Sequence, residues 1–334
     1  MNTALQVTGR VWRDGKVEAK DFELSRLSDY LAVPDTLVWA DLVNPTPDEL
    51  RQLADELELD PLAVEDALAP SERPKVTRHR THLFFMTYWT EMPESQHGAD
   101  PGRGTLALSR VSGFVLPHGL VTVRLDDRLP MDRVVAQWEE NSDLLALGVG
   151  ALIHGLLDVV VDGHFQTSQT MDDAMESLED VLFEESAGGR ALQRRMYALR
   201  KDLVSLRRVV LPMREVVNGL LRHRKEEQHE LGSLYEDLYD HVLRVAEWTE
   251  SLRDMVTTVF ETHLSLQDAR LNTVMKKLAG WAAIIAVPTA VTGWFGQNVP
   301  YPGFQAVSGL WMSAIAIAVL SVLLYLVFRV KGWL

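Results

Sequence analysis

Residues 278–298, with the sequence LAGWAAIIAVPTAVTGWFGQN, constrain the fold of this chain more than any other stretch. They contain no Asp, Glu, Lys or Arg. The part up to Phe295 is about 18 residues long, which as an α-helix reaches across the hydrocarbon core of a bilayer. A second apolar run covers residues 310–330 and is charged only at Arg329. The sequence therefore predicts two membrane-spanning helices.

The charges beside the two runs predict their orientation. Lys276 and Lys277 precede the first run, Arg329 and Lys331 end the second, and the loop at 299–309 carries no charged residue. Short loops rich in Lys and Arg stay on the cytoplasmic side of a membrane. Both termini are therefore expected in the cytoplasm, and the loop outside it.

The composition excludes several classes of function. A formal net charge of −14 argues against a nucleic-acid partner, because phosphate binding needs a basic surface, and it suits a protein that handles cations. The lack of cysteine excludes thiolate metal sites but leaves carboxylate and histidine ligands available. The sequence also has no glycine-rich phosphate loop and no His-Glu-x-x-His motif. We therefore do not expect an enzyme.

Residues 1–160 are predicted to form a cytoplasmic α/β domain. Residues 47–57 have the spacing of an amphipathic helix with acidic residues in its first turn, and Pro61 begins another short helix. Residues 94–104 have the composition of a polar loop. Four short β-type runs bounded by Pro, Gly and Asp should join in one sheet. These runs are 37–40, 83–89, 111–116 and 120–124.

Residues 161–277 are predicted to be helical. An acidic helix over 171–185 is followed by two glycines at 188–189 and by a basic helix over 190–223, and the two helices could pair as an antiparallel hairpin. The acidic face is either a solvated surface or a reservoir that concentrates cations near a pore. Residues 234–277 contain neither Pro nor Gly, so a long stalk helix should run unbroken into the first span.

The predicted order of the chain is an α+β cytoplasmic domain, a long stalk helix and two transmembrane helices. The domain boundaries that we predict are 1–160, 161–277, 278–298, 299–309, 310–330 and 331–334.

The stalk helix carries a seam of residues at alternating steps of four and three. From Leu238 to Leu266 these steps have the period of a helix that packs against copies of itself or against neighbours. In the first span the same steps reach small or weakly polar residues, which suits a water-filled pore, while Ile284, Ile285 and Val291 lie opposite. The predicted pore lining is Asn272, Met275, Leu278, Ala282, Ala286, Thr289 and Gly293.

Asn298 ends the first apolar stretch and carries a neutral oxygen donor. A hydrated divalent ion gives up its water reluctantly and binds oxygen, so a ring of amide oxygens can recognise its hydration shell without holding it tightly. One chain cannot form a ring, so this interpretation needs a homo-oligomer. Gly296 allows the backbone to leave the helix at this point. The alternative is that Asn298 only ends the helix in a left-handed turn.

Four motifs in the chain resemble those of one known family. The motifs are Val64-Glu65-Asp66-Ala67-Leu68 followed by Arg73-Pro74-Lys75-Val76, the pattern LRR…P-x-RE at 206–215, Asp237-Leu238-Tyr239-Asp240-His241, and Gly296-Gln297-Asn298 before the second span. In this order they resemble the two-transmembrane GxN superfamily of CorA-type divalent metal ion transporters, which includes the ZntB branch. The similarity runs from about residue 60 to the C-terminus.

The resemblance implies a funnel-shaped homo-oligomer, a pentamer, in a bacterial-type inner (plasma) membrane. Its substrate would be a divalent cation, Mg2+, Co2+ or Zn2+, which can also act as a regulator. Residues 296–298 would form the selectivity filter at the outer mouth. In magnesium members, an acidic residue of the first motif and the first Asp of the stalk motif bind metal across a subunit boundary as a sensor. The matching residues here are Asp66, with Glu65 beside it, and Asp237.

Two departures from the family pattern leave the ion open. Gln297 stands where magnesium members usually carry Met and the ZntB branch often carries Val, and the loop at 299–304 lacks the acidic residue typical of magnesium members. The leading interpretation is a channel-like Mg2+/Co2+ transporter with metal-regulated gating. One alternative is a proton-coupled zinc transporter of the ZntB type, without the sensor at Asp66 and Asp237. The other is a non-conducting, membrane-anchored interaction protein.

Overall fold

The computed structural model of the protein describes residues 6–69, 72–92, 106–182, 189–224 and 229–334. The predicted loop at 94–104 and the end of the acidic helix at 183–185 lie outside these ranges. The chain divides into two compact units, residues 1–257 and residues 258–334.

The first unit contains a seven-stranded sheet in the order β2-β1-β3-β7-β6-β5-β4. Every neighbouring pair is antiparallel except β3 and β7, which run parallel. The strands are β1 (Gln6–Arg13), β2 (Lys16–Glu23), β3 (Thr36–Val43), β4 (Lys75–Arg78), β5 (Leu83–Glu91), β6 (Ala107–Leu116) and β7 (Gly119–Arg124). The prediction that the four β-type runs join in one sheet is confirmed.

The sequence pattern missed β1, β2 and β4. The strands β2 and β4 are the two edges of the sheet, and Phe22 is the one fully buried side chain of β2. No residue of β4 is fully buried. Edge strands of this kind bury little apolar surface, so they lack the alternation that marks a half-buried strand.

Nine α-helices complete the described chain, and they are α1 (Leu27–Leu31), α2 (Pro47–Glu56), α3 (Pro61–Leu68), α4 (Met131–Glu140), α5 (Ser142–Leu145), α6 (Val149–Leu182), α7 (Gly189–Arg224), α8 (His229–Phe295) and α9 (Val307–Val330). Polar side chains cap the two predicted N-terminal helices. The N–H of Glu49 donates to Thr46 Oγ1 at 3.3 Å, and the N–H of Thr46 donates to Glu49 Oε2 at 2.8 Å. The Asp60 carboxylate accepts from the N–H of Leu62 at 2.9 Å. These bonds satisfy N–H groups that a helix start leaves without a partner.

The sheet lies between two layers of helices, each with its own apolar core. Val38 and Ala40 of β3 belong to the core shared with α1, α2 and α3. Leu37 and Trp39, which alternate with them, belong to the core shared with α4, α6 and α7 and with the first turns of α8. Successive side chains of a strand point to opposite faces, so β3 contributes to both cores.

Two glycines let α6 approach the aromatic side chains of this second core closely. A Cβ placed on Gly155 would lie 2.6 Å from Trp138 Nε1, and a Cβ on Gly163 would lie 2.3 Å from the ring of Trp89. Real Cβ atoms do not approach heavy atoms so closely, so larger residues at these two positions would push the helix from the sheet. The indole N–H of Trp138 on α4 donates to the Leu152 carbonyl of α6 at 3.1 Å and links these two helices.

A buried ion pair joins the parallel strands at the centre of the sheet. Arg124 Nη2 lies 2.6 Å from Asp41 Oδ2, and the Arg124 and Asp41 side chains are 4% and 1% exposed. Thr122 Oγ1 donates to Asp41 Oδ1 at 2.6 Å, and Arg124 Nη1 lies 2.8 Å from Asp127 Oδ1. Burial alone would lower the pKa of Arg124, but its hydrogen bonds and the negative charges of Asp41 and Asp127 raise it above the ordinary value.

The seam of α8 is used inside the chain over its first part. Leu238 and Val242 belong to the core beside α6 and α7, and Val245, Leu252 and Val256 are also buried. In residues 1–257, therefore, the seam that suggested contacts with copies or neighbours packs against its own chain.

The second unit contains two helical segments that are apolar and largely uncovered. The C-terminal part of α8 and the whole of α9 are long and apolar enough to cross a membrane, with mean hydropathies of 1.5 and 2.5 over their most apolar windows. Only 6% and 0% of those windows are buried within the chain. A soluble core helix hides such a surface, so we identify both segments as candidate membrane spans.

We predict that Asp41→Asn destabilises the first unit by about 3 kcal/mol, because it leaves the Arg124 charge buried without its counter-ion. The measurement is thermal or denaturant unfolding of the purified protein in detergent, followed by tryptophan fluorescence. The matched control is Asp48→Asn, which breaks an exposed pair with Arg51 and should cost about 1 kcal/mol or less. Equal losses in the two variants would contradict the prediction.

Candidate functional site

The tripeptide Gly296-Gln297-Asn298 is the point at which the chain leaves α8. The helix ends at Phe295, the N–H of Gly296 still donates to the Thr292 carbonyl at 2.8 Å, and the N–H of Gln297 makes a long bond of 3.4 Å to the Trp294 carbonyl. Asn298 is exposed. It is absent from the residues with positive φ, so it does not take the left-handed turn that was the alternative reading of this position.

Tyr301 fastens the following loop to the end of α8. Its hydroxyl donates to the Phe295 carbonyl at 2.9 Å, which satisfies one of the carbonyls that a helix end leaves free. Its ring makes edge contacts with Phe295 at 5.2 Å and with Phe304 at 5.3 Å between centroids. The tripeptide is therefore held between a helix end and a ring that is bonded back to that end.

The sequence predicted Tyr301 as part of an uncharged external loop and did not identify this contact. The only available signal was an aromatic residue between Pro300 and Pro302, in a loop too short for it to lie far from the helix end. Gly303 has a φ of +86° and returns the chain toward α9, where a Cβ on Gly309 would lie 2.5 Å from the Gly303 carbonyl oxygen.

The predicted pore-lining residues share one property in the single chain, which is that they are exposed. The set is Asn272, Met275, Leu278, Ala282, Ala286, Thr289 and Gly293. On the opposite side Ile284 and Val291 are half-buried, and buried Gly280 lies near Phe328 and Leu334. Ile285, also predicted on that side, is exposed. The predicted pore face is thus left without a covering element by its own chain.

Asp66, the first predicted sensor residue, lies on α3 and already has a cationic partner. Lys75 Nζ is 2.8 Å from Asp66 Oδ2 and 3.1 Å from Glu72 Oε2. Burial lowers the pKa of Lys75, but the two carboxylates outweigh it and raise that pKa above its ordinary value. Lys75 belongs to the Arg-Pro-Lys-Val motif, so the first two motif segments meet in space as an ion pair. Glu65 is exposed beside an apolar groove of about 680 Å³ between α2 and α3.

Asp237, the second predicted sensor residue, lies on α8 and is accessible. Its side chain is 73% exposed, and its carboxylate is 3.8 Å from His241 Nε2, one helical turn further on. A single Asp–His ion pair at this distance on an exposed helix face is weak. The Asp237 carboxylate is therefore free to accept another cation.

Sequence reasoning missed two carboxylates of α6, Asp158 and Asp162, which interact electrostatically with His154 and His241. Burial raises the pKa of Asp162, the negative charge of Asp158 raises it further, and His241 opposes both effects. Burial lowers the pKa of His154, against the charges of Asp158 and Asp237. A signal was available, because two Asp residues four positions apart interrupt an otherwise apolar helix.

Within the five ranges that the structure describes, a single chain brings no three His, Asp or Glu side chains together as a metal site. Asp66 lies on α3 and pairs with Lys75 of β4, whereas Asp237 lies on α8 and has its nearest described partner, His241, on the same helix. Neither carboxylate therefore belongs to a three-ligand metal site that the described part of one chain completes.

The chain as a whole is similar to known proteins. Residues 34–329 match the family described as "CorA-like Mg2+ transporter protein". The cobalt/magnesium transport protein CorA of Thermotoga maritima is 25% identical over 99% of this chain and 95% of its own. The zinc transport protein ZntB of Yersinia enterocolitica is 27% identical over 89% of this chain and 87% of its own.

A solved structure agrees with these sequence matches over the whole fold. The complete CorA magnesium transporter from Methanocaldococcus jannaschii superposes with a TM-score of 0.74 and 21% identity, over 99% of this chain and 100% of that one. Both compact units and the tripeptide after the first apolar helix lie within the aligned length. The chain belongs to the CorA-like Mg2+ transporter protein family.

Proposed function

We propose that the protein transports divalent metal cations across a bacterial-type inner membrane as a homo-oligomer, with Gly296, Gln297 and Asn298 as its selectivity filter. The observation that carries the proposal is the exposed face of α8, which leads to three exposed residues at the helix end. Tyr301 is hydrogen-bonded to the last residue of that helix, Phe295. The family consists of ion transporters, so the protein is not an enzyme.

The need for several chains follows from the exposure of the proposed pore face. A water-filled path needs walls on every side, and one helix with its polar face uncovered supplies only one. Copies arranged around an axis would cover Asn272 and Thr289 and leave the apolar opposite face for lipid. A pentamer is our proposal for the number of copies, with both termini in the cytoplasm because of Lys276 and Lys277.

The proposed filter works through neutral oxygens. A divalent ion holds its water shell strongly, and carbonyl oxygens of Asn side chains can accept hydrogen bonds from that shell without replacing it. Gln297 adds a second amide to each chain at the same level of the loop. Each ion then makes only weak contacts with the filter as it passes. The ion gradient and the membrane potential drive this passage.

Two ion classes are candidates, and different observations favour each of them. The similarity to cobalt/magnesium transport proteins favours Mg2+ or Co2+. Gln297 in place of Met, together with a loop without acidic residues and the similarity to a zinc transport protein, favours Zn2+ with proton coupling. Competition of Mg2+, Co2+, Ni2+ and Zn2+ for flux into liposomes tests the ion, and an imposed pH gradient tests the coupling. Absence of any divalent flux would favour the non-conducting interaction protein.

We also propose that Asp66, with Glu65 beside it, and Asp237 of a neighbouring copy hold a regulatory divalent cation. Two carboxylates from different chains repel each other unless a cation lies between them, so metal would tighten the interface. Asp237 fits this role because it is exposed and weakly partnered. Lys75 competes for Asp66, so metal binding has to displace a charge that already neutralises it.

The filter assignment predicts that Asn298→Ala lowers selective divalent flux by about tenfold or more, since every copy loses a hydrogen bond to the ion's water shell and such a bond is worth about 0.5–1.5 kcal/mol. The oligomer should remain assembled, because no packing contact is removed. The measurement is flux and ion competition in liposomes. Gln305→Ala is the control, because it removes an exposed amide of the same loop outside the tripeptide. Unchanged selectivity in Asn298→Ala would refute the filter.

The contacts of Tyr301 predict that Tyr301→Phe relaxes selectivity by about fivefold, because one hydrogen bond of about 1 kcal/mol that positions the tripeptide is lost while the ring remains. The measurement is the ratio of divalent to monovalent flux, which general destabilisation of the oligomer would not change. Tyr325→Phe in α9 is the matched control. Equal flux ratios in wild type and Tyr301→Phe would show that the hydroxyl does not position the filter.

The sensor proposal predicts opposite effects for two variants. Asp237→Asn should raise the Mg2+ concentration that half-protects the protein from limited proteolysis by at least about twofold, and Lys75→Gln should lower it, because Asp66 is released. Inhibition of flux by internal Mg2+ should move in the same directions. Asp240→Asn, an exposed Asp on the same helix, is the control. Identical dependence of proteolytic protection and flux inhibition on Mg2+ concentration in all three variants and the wild type would exclude the sensor.

A further inference from the structure

A cavity of about 510 Å³ lies in the first unit. It is formed where the β4–β5 turn, the β6–β7 turn and the start of α6 meet. One wall is apolar and contains Val115, Ile153 and Leu220. Pockets of this volume accommodate a small organic molecule.

The ionisable side chains that line this cavity are all basic, although the protein carries a net charge of −14. Its ionisable lining residues are Arg78, His79, Arg80, His82 and His118, and no carboxylate lines it among the described residues. Two carboxylates lie behind this lining. Asp60 is 3.1 Å from His79 Nδ1, and Glu58 is 3.8 Å from Arg80, in a pair that is exposed on both sides.

The start of α6 adds partial positive charge to the same cavity. The cavity is lined here by Leu147, Gly148 and Val149. The helix α6 begins at Val149, is 34 residues long and has no acidic residue in its first turn. The first N–H groups of a helix have no partner within the helix and attract anions. Gly148 has a φ of +83°, and no atom lies within 4 Å of a Cβ placed there, so the backbone is open to an approaching group.

His82 lines the same cavity and carries a buried ring nitrogen left unsatisfied by the described residues. Its side chain is 5% exposed, and its Nε2 has no hydrogen-bond partner in the part of the chain that the structure describes. The Thr81 hydroxyl donates its proton to the Glu58 carbonyl at 2.7 Å, so the contact of 3.0 Å between Thr81 Oγ1 and His82 Nδ1 needs the proton on Nδ1. Nε2 is then the ring nitrogen that can still take up a proton.

We propose that this cavity binds an organic anion that carries a phosphate group, with the phosphate at Arg78, Arg80 and the start of α6 and the organic part on the apolar wall. Guanidinium groups and helix N-termini are strong phosphate ligands. The proposal is independent of divalent transport, because none of these residues belongs to the filter, the pore face or the sensor.

Anion binding at this place should be linked to proton uptake by His82. Burial first, and then the charge of stacked His79 at 4.9 Å, lower the pKa of His82 to about 4, against the opposing charge of Asp60. A bound dianion favours the protonated ring and raises this pKa. Between about pH 4, the pKa of free His82, and the higher pKa of His82 in the complex, anion binding takes up a proton. The affinity for the anion therefore rises as the pH falls through this range.

The test uses the full-length protein in detergent with EDTA and measures binding of inorganic phosphate and of adenosine triphosphate by calorimetry. The nucleotide should bind more tightly than inorganic phosphate, because only it reaches the apolar wall. The double variant Arg78→Gln/Arg80→Gln should weaken nucleotide binding at least about tenfold, since bonds to charged groups are worth about 1.5–3 kcal/mol each. The control Arg13→Gln/Arg51→Gln removes the same charge from two exposed pairs elsewhere.

A second measurement uses sulfate, whose charge does not change between pH 7 and pH 5. Sulfate binding to the wild type should strengthen at least about threefold across this range, and His82→Gln should reduce that gain. The proposal is overturned if neither phosphate compound binds at millimolar concentration, if both double variants lose affinity equally, or if inorganic phosphate binds as tightly as the nucleotide. Sulfate affinity that does not change with pH in the wild type overturns the role of His82.

Discussion

The apolar surface of the last two helices has no protein to cover it within one chain, and the rest of the molecule is arranged around that constraint. Exposing such a surface to water costs about 25 cal/mol for each Å², so α9 and the end of α8 require a lipid environment. The predicted pore face of α8 is exposed as well. In the proposed homo-oligomer, water and further copies rather than lipid would meet this face.

A single helix, α8, meets two environments with one residue pattern. From Leu238 to Val256 its seam is buried against its own chain, and from Asn272 onward the corresponding positions are exposed. Apolar residues fill the first part, whereas the second part becomes small or weakly polar only from Ala282 onward, which suits the proposed pore wall. The step pattern alone does not separate these two uses.

Charge is distributed in pairs that limit where cations can bind. Lys75 neutralises Asp66, and Arg124 neutralises Asp41, whereas Asp237 on the face of α8 is only weakly partnered. A carboxylate that is already paired binds metal only when its partner is displaced, so the exposed Asp237 is the stronger half of the proposed sensor. The basic cavity beside α6 is the reverse case, in which positive groups converge while the whole protein is acidic.

The sequence by itself determined the two apolar spans, four of the seven strands, the starts of α2 and α3, and the oxygen donors that follow the first span. These are properties of neighbouring residues, and periodicity and composition report them directly. Only the tertiary structure decided that Asp41 meets Arg124 across the parallel strands, that Tyr301 bonds back to Phe295, and that basic side chains from separate turns surround one cavity. Such contacts depend on strand order, register and loop closure, which join residues far apart in the chain and leave no local pattern.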